Sequence, residues 1–143
     1  MPKTMKSINT IHRCQTVFRS ERLSGDICGA HHLFVFAICK HPGRSQEELS
    51  KQLFLNKSTV TRALTSLESS GYVKREVNPS DKRETLVYPT EKMTALLPKV
   101  REVAEEWNSI LSADVSPEEL SAFISVLEKM ERNARAAVRS MED

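Results

Sequence analysis

Between positions 45 and 90 the spacing of apolar residues changes period twice. Leu49 and Leu53 fall four apart, which predicts a two-turn helix with one buried face. Ser45-Gln46-Glu47-Glu48 stands before them in the form of a capping box, a hydroxyl for one free amide and a glutamate to return the bond. Val60, Leu64 and Leu67 then make a second inward stripe, with Asn56 placed to cap that helix. Gly71 ends it, and Tyr72-Val73-Lys74-Arg75-Glu76-Val77 alternates apolar with polar in the manner of a strand. Asn78-Pro79-Ser80-Asp81 is turn chemistry, and Glu84-Thr85-Leu86-Val87-Tyr88 is a second β-prone run. Two short helices followed by a hairpin tipped with Asp81, Lys82 and Arg83 read as a winged helix-turn-helix.

The flanking segments are helical. Over residues 5–22, Ile8, Ile11, Cys14 and Phe18 recur at three to four on what the spacing makes the inner face. A second helix is expected over residues 29–41, where Leu33 to Cys39 is apolar all round, the mark of a helix buried on several sides. Met93, Leu96, Leu97, Val100, Ala104, Trp107 and Leu111 stripe a long helix over residues 91–112, with a loosened turn expected at Pro98. Ser116-Pro117-Glu118-Glu119 is a second capping box, with proline at the first helical position. Leu120, Ile124, Leu127, Met130, Ala134 and Val138 follow it at helical spacing. The two terminal helices carry more apolar stripe than a small winged domain needs. Periodicity alone does not distinguish a seam between two copies from an intrachain core.

On the second helix of the pair, Lys57, Ser58, Thr59, Thr61 and Arg62 fall on or near the side opposite the stripe. Short hydroxyls beside one fork-shaped cation suit a helix laid in a major groove, where a guanidinium meets guanine through two bonds. Arg62, one turn in, ranks first as a base reader; Ser58, Thr59 and Thr61 are base-edge or phosphate candidates, and Lys57 suits a phosphate. The competing reading is an ordinary amphipathic helix with a solvated face. Lys74 and Arg75 read as strand-surface charges with at most a steering role.

Charge favours the first reading. The net charge of +2 divides unevenly: residues 1–85 hold 14 Lys/Arg against 8 Asp/Glu, and residues 86–143 hold 7 against 11. A basic front end fits a polyanion partner. At 143 residues, with 39% hydrophobic and 28% charged positions, a single domain is expected, spanning residues 1–143. No run approaches a membrane span and the start lacks the apolar core of a signal peptide, so a cytoplasmic location is the default expectation.

The stretch LNKSTVTRALTSLESSGYVKREVNPSDKRETLVYPTE resembles the DNA-binding core of the MarR family of bacterial transcription regulators, down to the Asp-x-Arg of the wing. The resemblance extends helix by helix over nearly the whole chain. It implies a mainly α fold with a small β-hairpin wing, in which residues 5–41 form the N-terminal helices and 45–90 the winged helix-turn-helix. Residues 1–22 and 91–143 would supply dimerisation helices that interlock between two subunits. The implied function is a homodimeric reader of double-stranded DNA, usually a repressor, on a pseudo-palindromic operator and released by a small-molecule or redox signal. Arg83 would enter the minor groove, Asp81 would hold the wing's shape and Lys82 would serve the backbone. A small aromatic effector, common in the family, would be sought near Arg13, His31, His32 and Phe36.

Three cysteines make structural disulfides unexpected in such a chain. Cys39 reads as a small buried hydrophobe. Cys28 stands near a helix start, which favours a thiolate, and Cys14 lies in the first helix, where some family members sense hydroperoxides. Both are redox candidates, although the tyrosines that accompany such a sensor are not evident, since Tyr72 and Tyr88 both fall in the hairpin. Cys28, His31, His32 and His12 could in principle gather a transition metal. Adjacent histidines point apart on a helix and no acidic cluster joins them, so neither a metal nor a cofactor is expected. A winged-helix protein-interaction module without DNA binding is the alternative from another class, and retention of Lys57, Arg62 and the wing argues against it. An enzyme is not expected: no glycine-rich phosphate loop or metal-hydrolase motif occurs.

Overall fold

The computed structural model describes residues 3–141. Met1, Pro2, Glu142 and Asp143, at the outer ends of the expected dimerisation segments, lie outside the described residues. In chain order the elements are α1 (Lys3–Arg22), a 3-10 turn (Gly29–His31), α2 (His32–Lys40), β1 (Arg44–Ser45), α3 (Gln46–Leu53) and α4 (Lys57–Ser69). β2 (Val73–Val77), β3 (Thr85–Pro89), α5 (Glu91–Leu111) and α6 (Pro117–Arg139) follow. The chain forms two compact units, the first ending at Glu105 and the second beginning at Glu106. No described helix is long and apolar enough to cross a membrane.

The first unit is mainly helical around a small sheet, the fold class expected. Its core is one cluster in which Leu23, Val35, Ile38, Leu49, Val60, Leu64, Leu67, Val87, Met93 and Val100 are essentially inaccessible. The stripes read from Leu49, Val60, Leu64 and Leu67 are thus the inner faces of α3 and α4. Both sequence caps form: the Ser45 hydroxyl accepts from the Glu48 amide at 3.1 Å and the Glu48 carboxylate accepts from the Ser45 amide at 2.8 Å. The Asn56 side-chain oxygen Oδ1 accepts from the Thr59 amide at 2.8 Å at the start of α4. An Asn56→Ala variant is expected to lose about 1 kcal/mol of stability, read from the urea midpoint at unchanged slope, because it orphans that amide.

Three expectations change. The wing is not a bare hairpin: β1 pairs antiparallel with β3, giving the order β1-β3-β2. The chain reaches β1 through Gly43, whose φ of +86° and proximity to the Tyr88 ring leave no room for a side chain. The second helix is split into a 3-10 turn and α2, and Leu33 and Cys39 are not fully enclosed. On α1 the expected inner face is mostly bare, with Ile11 and Cys14 exposed and Ile8 and Phe18 half-buried; the residue of α1 that is buried is Arg19, in its last turn.

In the second unit, α6 opens with the expected capping box, the Ser116 hydroxyl accepting from the Glu119 amide at 3.2 Å and Glu119 returning the bond at 2.9 Å. No residue of α6 is buried. Phe123, Ile124, Val126, Leu127 and Met130 are all exposed large hydrophobics.

Candidate nucleic-acid interface

Helix α4 presents its outer face beside the base of the wing. Ser45, Gln46, Glu47, Lys57, Thr61, Arg83, Glu84 and Thr85 line a groove of about 200 Å³. It brings together Lys57 and Thr61 from α4 and Arg83 from the wing, positions 22 or more residues apart in the chain. Lys57, Ser58, Thr61 and Arg62 are exposed. Thr59 departs from expectation: it is half-buried, because its backbone turns in under the Asn56 cap and its neighbour Val60 is in the core. The Thr61 hydroxyl donates to the Lys57 carbonyl at 2.9 Å, and the Ser58 hydroxyl to Asn56 at 2.8 Å, so both oxygens keep acceptor capacity facing out. Arg62 makes no hydrogen bond or ion pair among the described residues.

The wing is tied from within. The Asn78 amide and the Glu84 carbonyl close the turn at 2.9 Å, and the Asn78 side chain donates to Glu84 at 2.8 Å. Asp81 accepts from both the backbone amide and the Nε of Arg83, at 3.0 and 3.2 Å, and these bonds hold its carboxyl below the usual range. Arg83 nevertheless keeps 91% of its side chain accessible. Lys82, at the tip, is exposed.

Sequence reasoning missed the groups behind this face. Arg75 is not a free strand-surface charge. Its guanidinium donates to Gln46 at 3.2 Å, to Thr65 at 3.3 Å and to Glu68 at 3.0 Å, and its backbone amide donates to the other Glu68 oxygen at 3.1 Å. These bonds lower the Glu68 carboxyl. The alternation around Arg75 does mark an outward position, and nothing local reveals that α3 and α4 lie beside it.

The expected effector residues do not converge. His31 lines a separate cavity of about 320 Å³ with Asp26, Ile27, Cys28, Ser66, Ser70 and Tyr72, among others. Arg13 is exposed on α1, and Phe36 is half-buried with its ring edge-on to His32 at 6.4 Å. His32 is buried: its Nδ1 lies 2.8 Å from the Gly29 carbonyl and its Nε2 against the Arg19 guanidinium. That pairing requires a neutral ring donating from Nδ1 and accepting at Nε2. Burial first, then the Arg19 charge, push the His32 pKa down to about 4. Of the redox candidates, Cys14 stands exposed on α1 rather than on an inner face, and Cys28 is exposed at the cavity rim. No group of three or more metal-ligating side chains gathers among the described residues.

Two helices joined by a tight turn, the second beside a β-wing, define a winged helix-turn-helix protein. The MarR family profile matches residues 26–84. The chain is 36% identical to the HTH-type transcriptional regulator YdgJ of Bacillus subtilis over 62% of this chain and 54% of that one. It is 24% identical to YybA of the same organism, over 76% of this chain and 72% of that one. A MarR transcriptional regulator from Methanosarcina mazei superposes with a TM-score of 0.87 at 27% identity, covering 94% of this chain and 97% of that one. A mutant MarR from E. coli complexed with operator DNA does so with a TM-score of 0.80 at 26% identity, covering 87% and 91%. The chain thus shares the winged helix-turn-helix fold of solved MarR-family transcription regulators, and the family profile matches its DNA-binding core.

Proposed function

We propose that this protein is a MarR-family transcription regulator that binds double-stranded DNA as a homodimer on a pseudo-palindromic operator, acts as a repressor, and is released by a small-molecule or redox signal. The observation that carries the reading is the groove in which α4 and the wing present Lys57, Thr61 and Arg83 together, with Arg62 exposed and unengaged beside it. A free guanidinium on the outer face of a helix suits a guanine edge, and a lysine at the helix start suits a phosphate. The operator complex formed by the E. coli relative supports the same docking. Two copies would need their α4 helices about 34 Å apart to reach successive major grooves. A signal that changes that spacing favours a DNA-incompetent state. Its entry would be sought around Arg13, His31, His32 and Phe36, or at Cys14 and Cys28; the cavity that Cys28 and His31 share supports the second helix's N-terminus as the place.

The test is a fluorescence-anisotropy titration against promoter fragments at several salt concentrations. Arg62→Ala is expected to weaken operator binding about tenfold or more and to relax preference at one base pair, the behaviour of a bidentate contact. Lys57→Ala is expected to weaken all sequences alike and reduce the salt slope by about one, the behaviour of a phosphate contact. Binding that ignores sequence, together with undiminished affinity in Arg83→Ala, would sink the proposal.

A further inference from the structure

Arg75 ties the wing strand to both helices of the helix-turn-helix. From β2 its guanidinium reaches Gln46 at the start of α3 and Thr65 and Glu68 on α4, and only 20% of the side chain remains accessible. Three of its five N–H donors are engaged by these protein partners, and its low exposure withholds most of the side chain from a phosphate. The contacts do not stop at Arg75. Gln46 donates from its amide nitrogen to the Thr61 hydroxyl at 3.4 Å, and Thr65 donates to the Thr61 carbonyl at 2.8 Å. A chain of hydrogen bonds therefore runs from the wing strand, through Arg75, to the exposed face of α4.

We infer that Arg75 is a positioning residue that fixes the wing relative to α4, so that helix and wing can engage neighbouring grooves at once. The inference rests on the DNA-binding reading above. β2 is an edge of the three-stranded sheet, paired with β3 alone, and a fork of planar donors that joins this edge to α3 and α4 resists its twisting as a single flexible ammonium cannot. Arg75 would thus govern discrimination between operator and other DNA while touching neither.

The experiment has two arms. In the free protein, with Cys14, Cys28 and Cys39 replaced by serine, spin labels at Lys82→Cys on the wing tip and Ser69→Cys at the end of α4 report their distance distribution. Arg75→Lys is expected to broaden it while the thermal midpoint shifts little; an unchanged narrow distribution overturns the inference whatever DNA does. In the second arm, Arg75→Lys is expected to lose about tenfold or more in operator affinity, with affinity for random DNA and the salt slope retained, as expected when specificity rather than phosphate charge is lost. Equal losses on operator and random DNA overturn it in favour of a plain electrostatic role. Should Arg75→Lys fail to fold, Gln46→Met with Thr65→Val removes two acceptors and leaves the arginine, and is read in the same way. Wild-type protein that shows no sequence preference refutes the DNA-binding reading instead, and the distance arm still decides the role of Arg75 in the wing.

Discussion

An Ile124→Asp, Leu127→Asp double variant of the homodimer proposed above is expected to sediment as a monomer, the unaltered protein being expected to sediment as a dimer, and to lose about a hundredfold or more in operator affinity. The expectation follows from α6, a helix of 23 residues in which nothing is buried. Phe123, at 55% exposure, with Ile124, Leu127 and Met130, lies at helical spacing on one side of it. Fully burying each such side chain is worth about 1.5–3 kcal/mol, so a stripe of this length left in water is a substantial unclaimed driving force. Two carboxylates within it would have to be desolvated on association, which removes that force and adds a cost. Operator affinity falls because a monomer reads one half-site. Ala122→Asp, about half a turn away on the same exposed helix, is the control and should remain dimeric. A double variant that keeps the dimer's sedimentation coefficient would exclude α6 from the subunit interface.

Acid is expected to destabilise the winged unit well above the range in which carboxylates titrate. His32, buried and accepting from Arg19, has its pKa down at about 4, against about 6.5 in an unfolded chain. The unfolded state therefore binds more protons than the folded state between those values. The His32 contribution is fully present above pH 6.5 and is lost as the pH falls through about 6.5 to about 4. Between pH 7.5 and pH 5 the loss should be about 1 to 2 kcal/mol, after allowing for partial solvent access to the ring. Protonation would also take the lone pair that Nε2 offers Arg19, and leave two cations facing each other. Urea unfolding at the two pH values measures the difference, and a His32→Gln variant should flatten it. A wild-type protein equally stable at both values would show that the ring is not held neutral in the fold.

The parts of the fold that were legible in the sequence are those determined within a few residues. The caps at Ser45, Asn56 and Ser116, the stripe Val60-Leu64-Leu67 and the alternation from Tyr72 to Val77 each depend on neighbours one or two turns away. The shared fold with known family members follows from these. What was not legible depends on partners distant in the chain. β1 is two residues long and exists only through pairing with Val87 and Leu86. Arg19 and His32 lie 13 positions apart on different elements, and nothing in either helix's pattern announces their bond. Periodicity put Cys14 on an inner face of α1, whereas the structure leaves it exposed, because spacing does not say whether the same chain covers an apolar stripe. The same limit applies to Arg75, whose outward position on β2 proved to be a contact with α3 and α4 rather than with water. For the candidate interface, residue types, spacing and the resemblance named Lys57, Ser58, Thr61, Arg62 and Arg83 as candidates, whereas the meeting of Lys57, Thr61 and Arg83 in one groove is a tertiary fact.

The pairing of Asp81 with Arg83 sets an unusual division of labour for the wing tip. The carboxylate cancels the guanidinium at any distance beyond a few ångströms, so the pair contributes little to the far field that draws a polyanion in. It also limits the rotamers of a long side chain before any partner arrives, which reduces the entropy lost when that chain is finally fixed. On the DNA-binding reading, encounter would be governed by the basic surface elsewhere on the first unit. The tip would act late, lengthening the life of correctly seated complexes and scarcely changing how fast they form.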